Sequence, residues 1–191
     1  MRNIVRSEKN LVWIDLEMTG LIPESDVILE AAVIITNSDL EPIGEELSLV
    51  IHQPREILNT MNNWCQEQHT KSGLINAVES STITLEEAEQ EILVLLDTYC
   101  VRQKAIICGN SIFQDRAFIH RWMPRIDAFL NYRIVDVSSI REVIARWFAG
   151  DKNVFFKKQD THRALSDIRE SIAELQHYRT HFFHTIPVDE D

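Results

Sequence analysis

Residues 14 to 21 read IDLEMTGL, which sets two carboxylates, Asp15 and Glu17, inside a run otherwise suited to a buried strand. Leu11, Val12, Trp13 and Ile14 are strand formers, and Thr19-Gly20 supplies the break, so the acids stand at a strand end. Side chains alternate on a pleated strand. Trp13, Asp15 and Glu17 therefore share one face, and Val12, Ile14 and Leu16 share the other. Two carboxylates held that close repel, and one resists ionisation unless a cation sits between them. A divalent metal ion is the simplest reason to place both there. The alternative is an edge strand whose outer face is simply solvated.

The rest of the chain bounds the answer. At 191 residues, with 45% apolar and 26% charged residues, it predicts one globular domain over residues 1–191, with the acidic end at 185–191 frayed. No apolar run is long enough to span a membrane, and the first is broken too early by Asp15 to act as a signal peptide, which makes the cytoplasm the expected compartment. Cys65, Cys100 and Cys108 form no CxxC pair and are expected to pack in the interior. A formal net charge of -11 with no basic tract argues against a binder of long nucleic acid, although clustered metal-binding acids contribute to that count.

The pattern predicts a meander followed by alternating helices and strands. After the first strand, residues 27 to 36 and 43 to 52 read as two more, joined by the turn at NSDL. Glu30 in the second is read as a strand-face acid near a sheet edge and not as a ligand. Residues 54 to 82 show no regular period. Thr84-Leu85-Glu86-Glu87 matches a capping box opening a helix to about Tyr99. A short strand, AIICGN, then leads to a helix from Ile112 that stops near Pro124. RIVDV at 133 to 137 reads as a strand, and Ser138 or Ser139 as the cap of a helix to about Phe148. A last helix runs from about Arg163 to about His181, its inner face formed by Ala164, Leu165, Ile168, Ile172 and Leu175.

Two further acids occupy similar junctions, Asp115 after CGNSIFQ and Asp167 in the first turns of the last helix. Each alone is explained by the helix macrodipole. In THRALSD, His162 and Asp167 are five residues apart, roughly 140° around an ideal helix. They share a site only if His162 lies on the preceding loop or first turn and reaches across.

DLEMTG, GNSIxxD and HxxxxD in this order, together with HTKSGL and YRIVDVSS, resemble the oligoribonuclease branch of the DEDDh 3′-to-5′ exonucleases. The resemblance covers most of the chain and implies an α/β, RNase H-like mixed sheet, an antiparallel meander plus parallel strands, flanked by helices. It implies a site of Asp15, Glu17, Asp115 and Asp167 holding two divalent ions, Mg2+ or Mn2+, with His162 as general base. Hard cations prefer oxygen ligands, which suits four carboxylates better than it suits zinc. By the same resemblance Leu21 is a wedge between two bases, Trp64 a stacking platform, and His69 a neighbour of sugar or base. Ser111, Arg133 and Ser138 match positions holding a 5′ phosphate, and Tyr132 one contributed by the second subunit of a homodimer. Asn131 stands where the family has histidine, and Ser166 where it has an acid. His120, His177 and His184 are read as surface or packing residues. The expected partners are short RNA oligonucleotides, dinucleotides above all. The rival expectations are a DNA proofreading-type exonuclease of the same superfamily and a non-catalytic RNA-binding module.

Overall fold

The strand carrying the two acids, β1 (Leu11–Met18), lies at the centre of a five-stranded sheet in the computed structural model, which describes residues 6–157 and 163–183. The acidic end at 185–191 is outside the described residues. The sheet order is β3 (Pro42–Val50), β2 (Ile28–Thr36), β1, β4 (Ile106–Gly109), β5 (Ile134–Asp136). The first three strands form the antiparallel meander, and β4 and β5 run parallel to β1. The meander is the one the pattern predicted, and the mixed sheet is the one the family resemblance implied. The edge-strand alternative for β1 fails, because both of its sides are paired.

The two faces of β1 feed two cores. Val12, Ile14 and Leu16 pack with α4 (Leu85–Tyr99), α5 (Phe113–Trp122) and α6 (Pro124–Phe129). Trp13, on the face of the acids, is fully buried among residues of α7 (Val137–Trp147) and α8 (Ala164–Phe182), its Nε1 donating to Thr36 Oγ1 at 3.0 Å. Fully burying each aliphatic side chain contributes about 1.5–3 kcal/mol, so the site rests on a sheet fixed from both sides.

Several local expectations change. Residues 54 to 82, read as irregular, contain three short helices: α1 (Arg55–Leu58), α2 (Asn63–Lys71) and α3 (Leu74–Ser80). They bury few residues each, Leu58, Cys65, Leu74 and Val78 against Leu29, too few to print a helical stripe on the sequence. The capping box at Thr84 is present, with both reciprocal bonds. The helix from Ile112 does stop near Pro124: α5 ends at Trp122, two residues before the proline, which then opens α6, where its missing N–H is no loss. The cap of α7 is Asp136, whose carboxylate accepts from Ser138 N–H at 2.9 Å, and not a serine. All three cysteines are buried free thiols. Glu30 is not at an edge but wholly buried on β2, held by Arg163 Nε (3.1 Å) and Nη2 (2.9 Å) and by the Ser48 hydroxyl (2.9 Å).

Candidate active site

The site forms where β1 outruns its parallel neighbour. Pairing with β4 ends at Trp13–Cys108, while pairing with β2 continues through Asp15–Ala32 and Glu17–Glu30. Beyond that end the Leu16 N–H has no strand to donate to. It donates instead to Asp115 Oδ1 at 2.9 Å, which pins the first turn of α5 against β1. Asp167 comes from the first turn of α8, whose entry is anchored by the two-pronged Arg163–Glu30 pair.

These elements bring carboxylate oxygens of Asp15, Glu17 and Asp167 within 4.8 Å of one another. Burial, reinforced by Asp115, Glu17, Asp167 and Glu30, holds Asp15 well above the usual carboxylate range. Burial and the charges of Asp167, Glu30 and Asp115 push Glu17 up to about 8, with Arg163 acting weakly the other way. Asp115 is pushed up to about 7, chiefly by burial, against the lowering effect of the Leu16 N–H. Such a cluster is short of positive charge. Hard divalent cations, which take oxygen ligands and favour ionised carboxylates, fit this donor set.

A pH dependence follows. Glu17 and Asp115 bind protons more tightly folded than at their ordinary values of 4.5 and 3.8, so ionising them costs stability as pH rises toward 8 and 7. The metal-free protein is expected to melt at a higher temperature near pH 5.5 than near pH 8, about the window between those values, and Glu17→Gln to flatten the trend. Thermal melts in chelator across that range check it. A trend unchanged in Glu17→Gln would contradict the assignment.

Around the carboxylates, His69 is buried on α2, its Nε2–H donating to the Met18 carbonyl at 2.9 Å and its Nδ1 3.8 Å from Glu17 Oε2. It faces the acid. Leu21 and Trp64, by contrast, are 68% and 62% exposed, two of several large apolar side chains that reach the surface. The Leu21 loop is built: Asp26 accepts from Thr19 Oγ1 (3.0 Å) and Ile22 N (2.9 Å), Gln114 Nε2 donates to the Leu21 carbonyl (2.7 Å), and a Cβ at Gly20 would meet the Asp26 carboxylate at 2.5 Å. Ser111 and Ser138 are brought together, their hydroxyl oxygens 3.3 Å apart. Tyr132 is 77% exposed and stacks under the Arg133 guanidinium at 4.8 Å. Asn131 shapes this loop, its Nδ2 donating to the Gln103 carbonyl (2.7 Å) and its Oδ1 accepting from Arg133 N (3.0 Å). His162 lies outside the described residues.

Sequence reasoning missed the residues that hold these groups. Asp136 accepts from the N–H of both Ser111 (3.0 Å) and Ser138 (2.9 Å). Asn110 Oδ1 accepts from the Ser138 hydroxyl at 3.0 Å. The signal for Asp136 was present, an Asp two residues before a serine at a strand-to-helix junction.

The family pattern described as exonuclease, of the RNase T type, matches residues 12–175. The chain is 51% identical over 178 residues to an oligoribonuclease of Pseudomonas aeruginosa, covering 93% of this chain and 98% of that one. It belongs to the oligoribonuclease family of exonucleases. An oligoribonuclease of Ralstonia nicotianae is 46% identical over 182 residues, covering 95% of this chain and 83% of that one. Among solved structures, E. coli exonuclease I in its zinc-bound complex with single-stranded DNA superposes with a TM-score of 0.70 at 17% identity, over 92% of this chain. Exonuclease I from Methylocaldum szegediense does so at 0.67 and 18%, over 91%. At that identity the likeness concerns the RNase H-like fold, and this chain spans only 41% of either exonuclease I. The chain is thus a nuclease of a metal-dependent exonuclease family, and it carries an acidic cluster of Asp15, Glu17 and Asp167. No helix among the described residues is long and apolar enough to cross a membrane.

Proposed function

We propose that this chain is a cytoplasmic, single-domain, homodimeric 3′-to-5′ exoribonuclease that hydrolyses short RNA, dinucleotides above all, to 5′-mononucleotides. The observation that carries the reading is the convergence of Asp15, Glu17 and Asp167 within 4.8 Å, on the first strand and last helix of an exonuclease fold. Three buried free thiols suit a reducing compartment.

Asp15, Glu17 and Asp167 would hold one divalent cation, Mg2+ or Mn2+, and Asp15 with Asp115 a second. Bound there, the pair supplies Lewis-acid stabilisation of charge on the phosphoryl oxygens and makes water a stronger nucleophile near neutral pH. The protein's own groups do the rest. His162, with an unperturbed pKa of about 6.5, takes the proton of the attacking water. Water oxygen bonds to phosphorus as the bond to the 3′ oxygen breaks, leaving one 5′-mononucleotide and a free 3′ hydroxyl. Leu21 wedges between the two bases and Trp64 stacks on one of them. His69, beside Glu17, neighbours the sugar or base. Ser111, Ser138 and Arg133 take the 5′ phosphate, with Tyr132 reaching over from the partner subunit.

A phosphate pocket set one nucleotide from the scissile linkage makes length the discriminating property. A third nucleotide would collide with the cap and lose charge-assisted hydrogen bonds. A net charge of -11 offers no track for a longer backbone. In single-turnover cleavage of 5′-phosphorylated RNAs of two to seven nucleotides with Mg2+, the dinucleotide is expected to react much the fastest. Arg133→Ala should erase most of the preference, at a cost of about 2 kcal/mol or more for truncating a phosphate partner. Equal rate constants across the series would refute the cap, and faster cleavage of the matching DNA dinucleotide would favour a proofreading-type enzyme. No metal-stimulated cleavage of any substrate would leave a non-catalytic module.

A further inference from the structure

Below the Ser111–Ser138 pair lies a buried polar network that the reaction as described does not use. Glu174 on α8 is 1% exposed, yet its carboxylate accepts from Asn110 Nδ2 (3.0 Å) and the Tyr178 hydroxyl (3.0 Å), and it lies 3.4 Å from Arg141 Nη1. Removing a carboxylate from water is costly unless it is both paired and hydrogen-bonded, and this one is. Arg141 stands one helical turn after Ser138 on α7, on the same face, and its Nη2 is 3.5 Å from Ser138 Oγ. The Ser138 hydroxyl is in turn the acceptor for the Ser111 N–H at 3.0 Å and a donor to Asn110 Oδ1. Ser111 itself has φ of 51°, a left-handed conformation that a serine adopts only under constraint, here from Asp136 and Ser138.

The guanidinium is fixed but not engulfed. Its Nη1 leans on Glu174, its Nη2 on Ser138, and the side chain remains 43% exposed. A carboxylate buried beneath an arginine orients the fork and leaves its remaining N–H groups to a ligand above. The Ser111 hydroxyl, which among the described residues is not committed as a donor elsewhere, can rotate to donate to the same anion. Arg146, five residues on, contrasts with it: its guanidinium pairs with Glu142 on its own helix, 67% exposed.

From this geometry we infer that Arg141, oriented by the buried Glu174, is a second cationic determinant of 5′-phosphate recognition, acting beside the Ser111–Ser138 hydroxyl pair. The inference rests on the 5′-phosphate reading of those serines. Arg141 contributes charge and N–H donors to substrate binding, and it takes no part in proton transfer or bond cleavage. Its effect therefore falls on KM for substrates bearing a 5′ phosphate.

The test compares steady-state cleavage of 5′-phosphorylated and 5′-hydroxyl RNA dinucleotides of one sequence by the full chain and by Arg141→Gln, Arg141→Lys and Arg146→Gln. Gln keeps a donor for Glu174 and removes the charge; Lys keeps the charge without the fork. Arg141→Gln is expected to lower kcat/KM for the phosphorylated substrate roughly tenfold or more, mainly through KM, and to change the hydroxyl substrate less than about twofold. Arg141→Lys should recover much of the loss, and Arg146→Gln should match the parent. Equal losses on both substrates would assign Arg141 a purely structural role and overturn the inference, as would an unchanged preference in Arg141→Gln while the parent shows one. A parent indifferent to the 5′ phosphate would overturn the phosphate pocket as a whole. Should Arg141→Gln not fold, Arg141→Met, which keeps the stem and removes the charge, is read on the same two substrates: a loss confined to the phosphorylated one supports the inference, and equal losses or an unchanged preference overturn it.

Discussion

Asp15→Asn is expected to abolish turnover in saturating Mg2+, by at least about a thousandfold, the upper end of what losing one electrostatic stabiliser does, while leaving the protein folded. The reason lies in the register of β1. Asp15 pairs with Ala32 of β2 beyond the last residue matched to β4, so its side chain stands at the focus of Glu17, Asp167 and Asp115. Amide keeps its shape and removes its charge. A cation site loses a ligand that burial has already made reluctant to ionise, and no neighbour can take over its place between the other acids. The same change relieves repulsion, so the metal-free melting temperature should be equal to the parent's or higher. Adding Mg2+ should raise that temperature in the parent and much less in the variant. Activity within tenfold of the parent would remove Asp15 from the site, and a collapsed melting transition would mean that its role is structural. Asp167→Asn, from the opposite side of the cluster, is expected to behave alike.

The parts of this site that could be read from the sequence are those where chemistry conflicts with local pattern. Asp15 and Glu17 stand out because acids interrupt an apolar strand, and Asp115 and Asp167 because each follows a junction. The alternation rule placed Trp13 with the acids, and Trp13 indeed joins the α7–α8 core while Val12, Ile14 and Leu16 join the other. What the pattern could not carry were interactions between distant segments. Glu30 looked like an ordinary strand acid because its partner, Arg163, is 133 residues away. Nothing in the local pattern marks Glu174 or Arg141, though the first is almost wholly buried. The three helices of residues 55–80 were hidden by brevity, since a helix of four to nine residues touching the core at one or two points leaves no period. The cap of α7 was misplaced for a different reason. Asp136 and Ser138 are both good caps, and only the backbone decides that the carboxylate takes the N–H groups.

His162→Ala is expected to slow turnover roughly a hundredfold or more, the range for loss of a general base, with metal and substrate binding retained. In sequence His162 immediately precedes Arg163, whose guanidinium is fixed by two bonds to Glu30, itself across the β1–β2 pairing from Glu17. The anchor thus lies one residue in sequence from the proposed base and four from Asp167, and it ties the entry of α8 to β2, the neighbour of the strand that bears Asp15 and Glu17. A base is useful only when deprotonated, so parent activity should climb with pH through the histidine range of about 6 to 7 and then level. The carboxylates also titrate high in the metal-free protein, Glu17 at about 8 and Asp115 at about 7, and they could mimic that limb. Saturating metal separates the two, because a bound cation favours the ionised carboxylates and drives their titration to lower pH. At saturating Mg2+ the ascending limb should therefore persist in the parent and vanish in His162→Ala, while the dependence of metal-free melting on pH stays the same in both. Should the limb remain in the variant at full metal occupancy, the titrating group belongs to the carboxylate cluster. If calorimetry instead showed weakened dinucleotide binding with turnover preserved, His162 would be a binding residue.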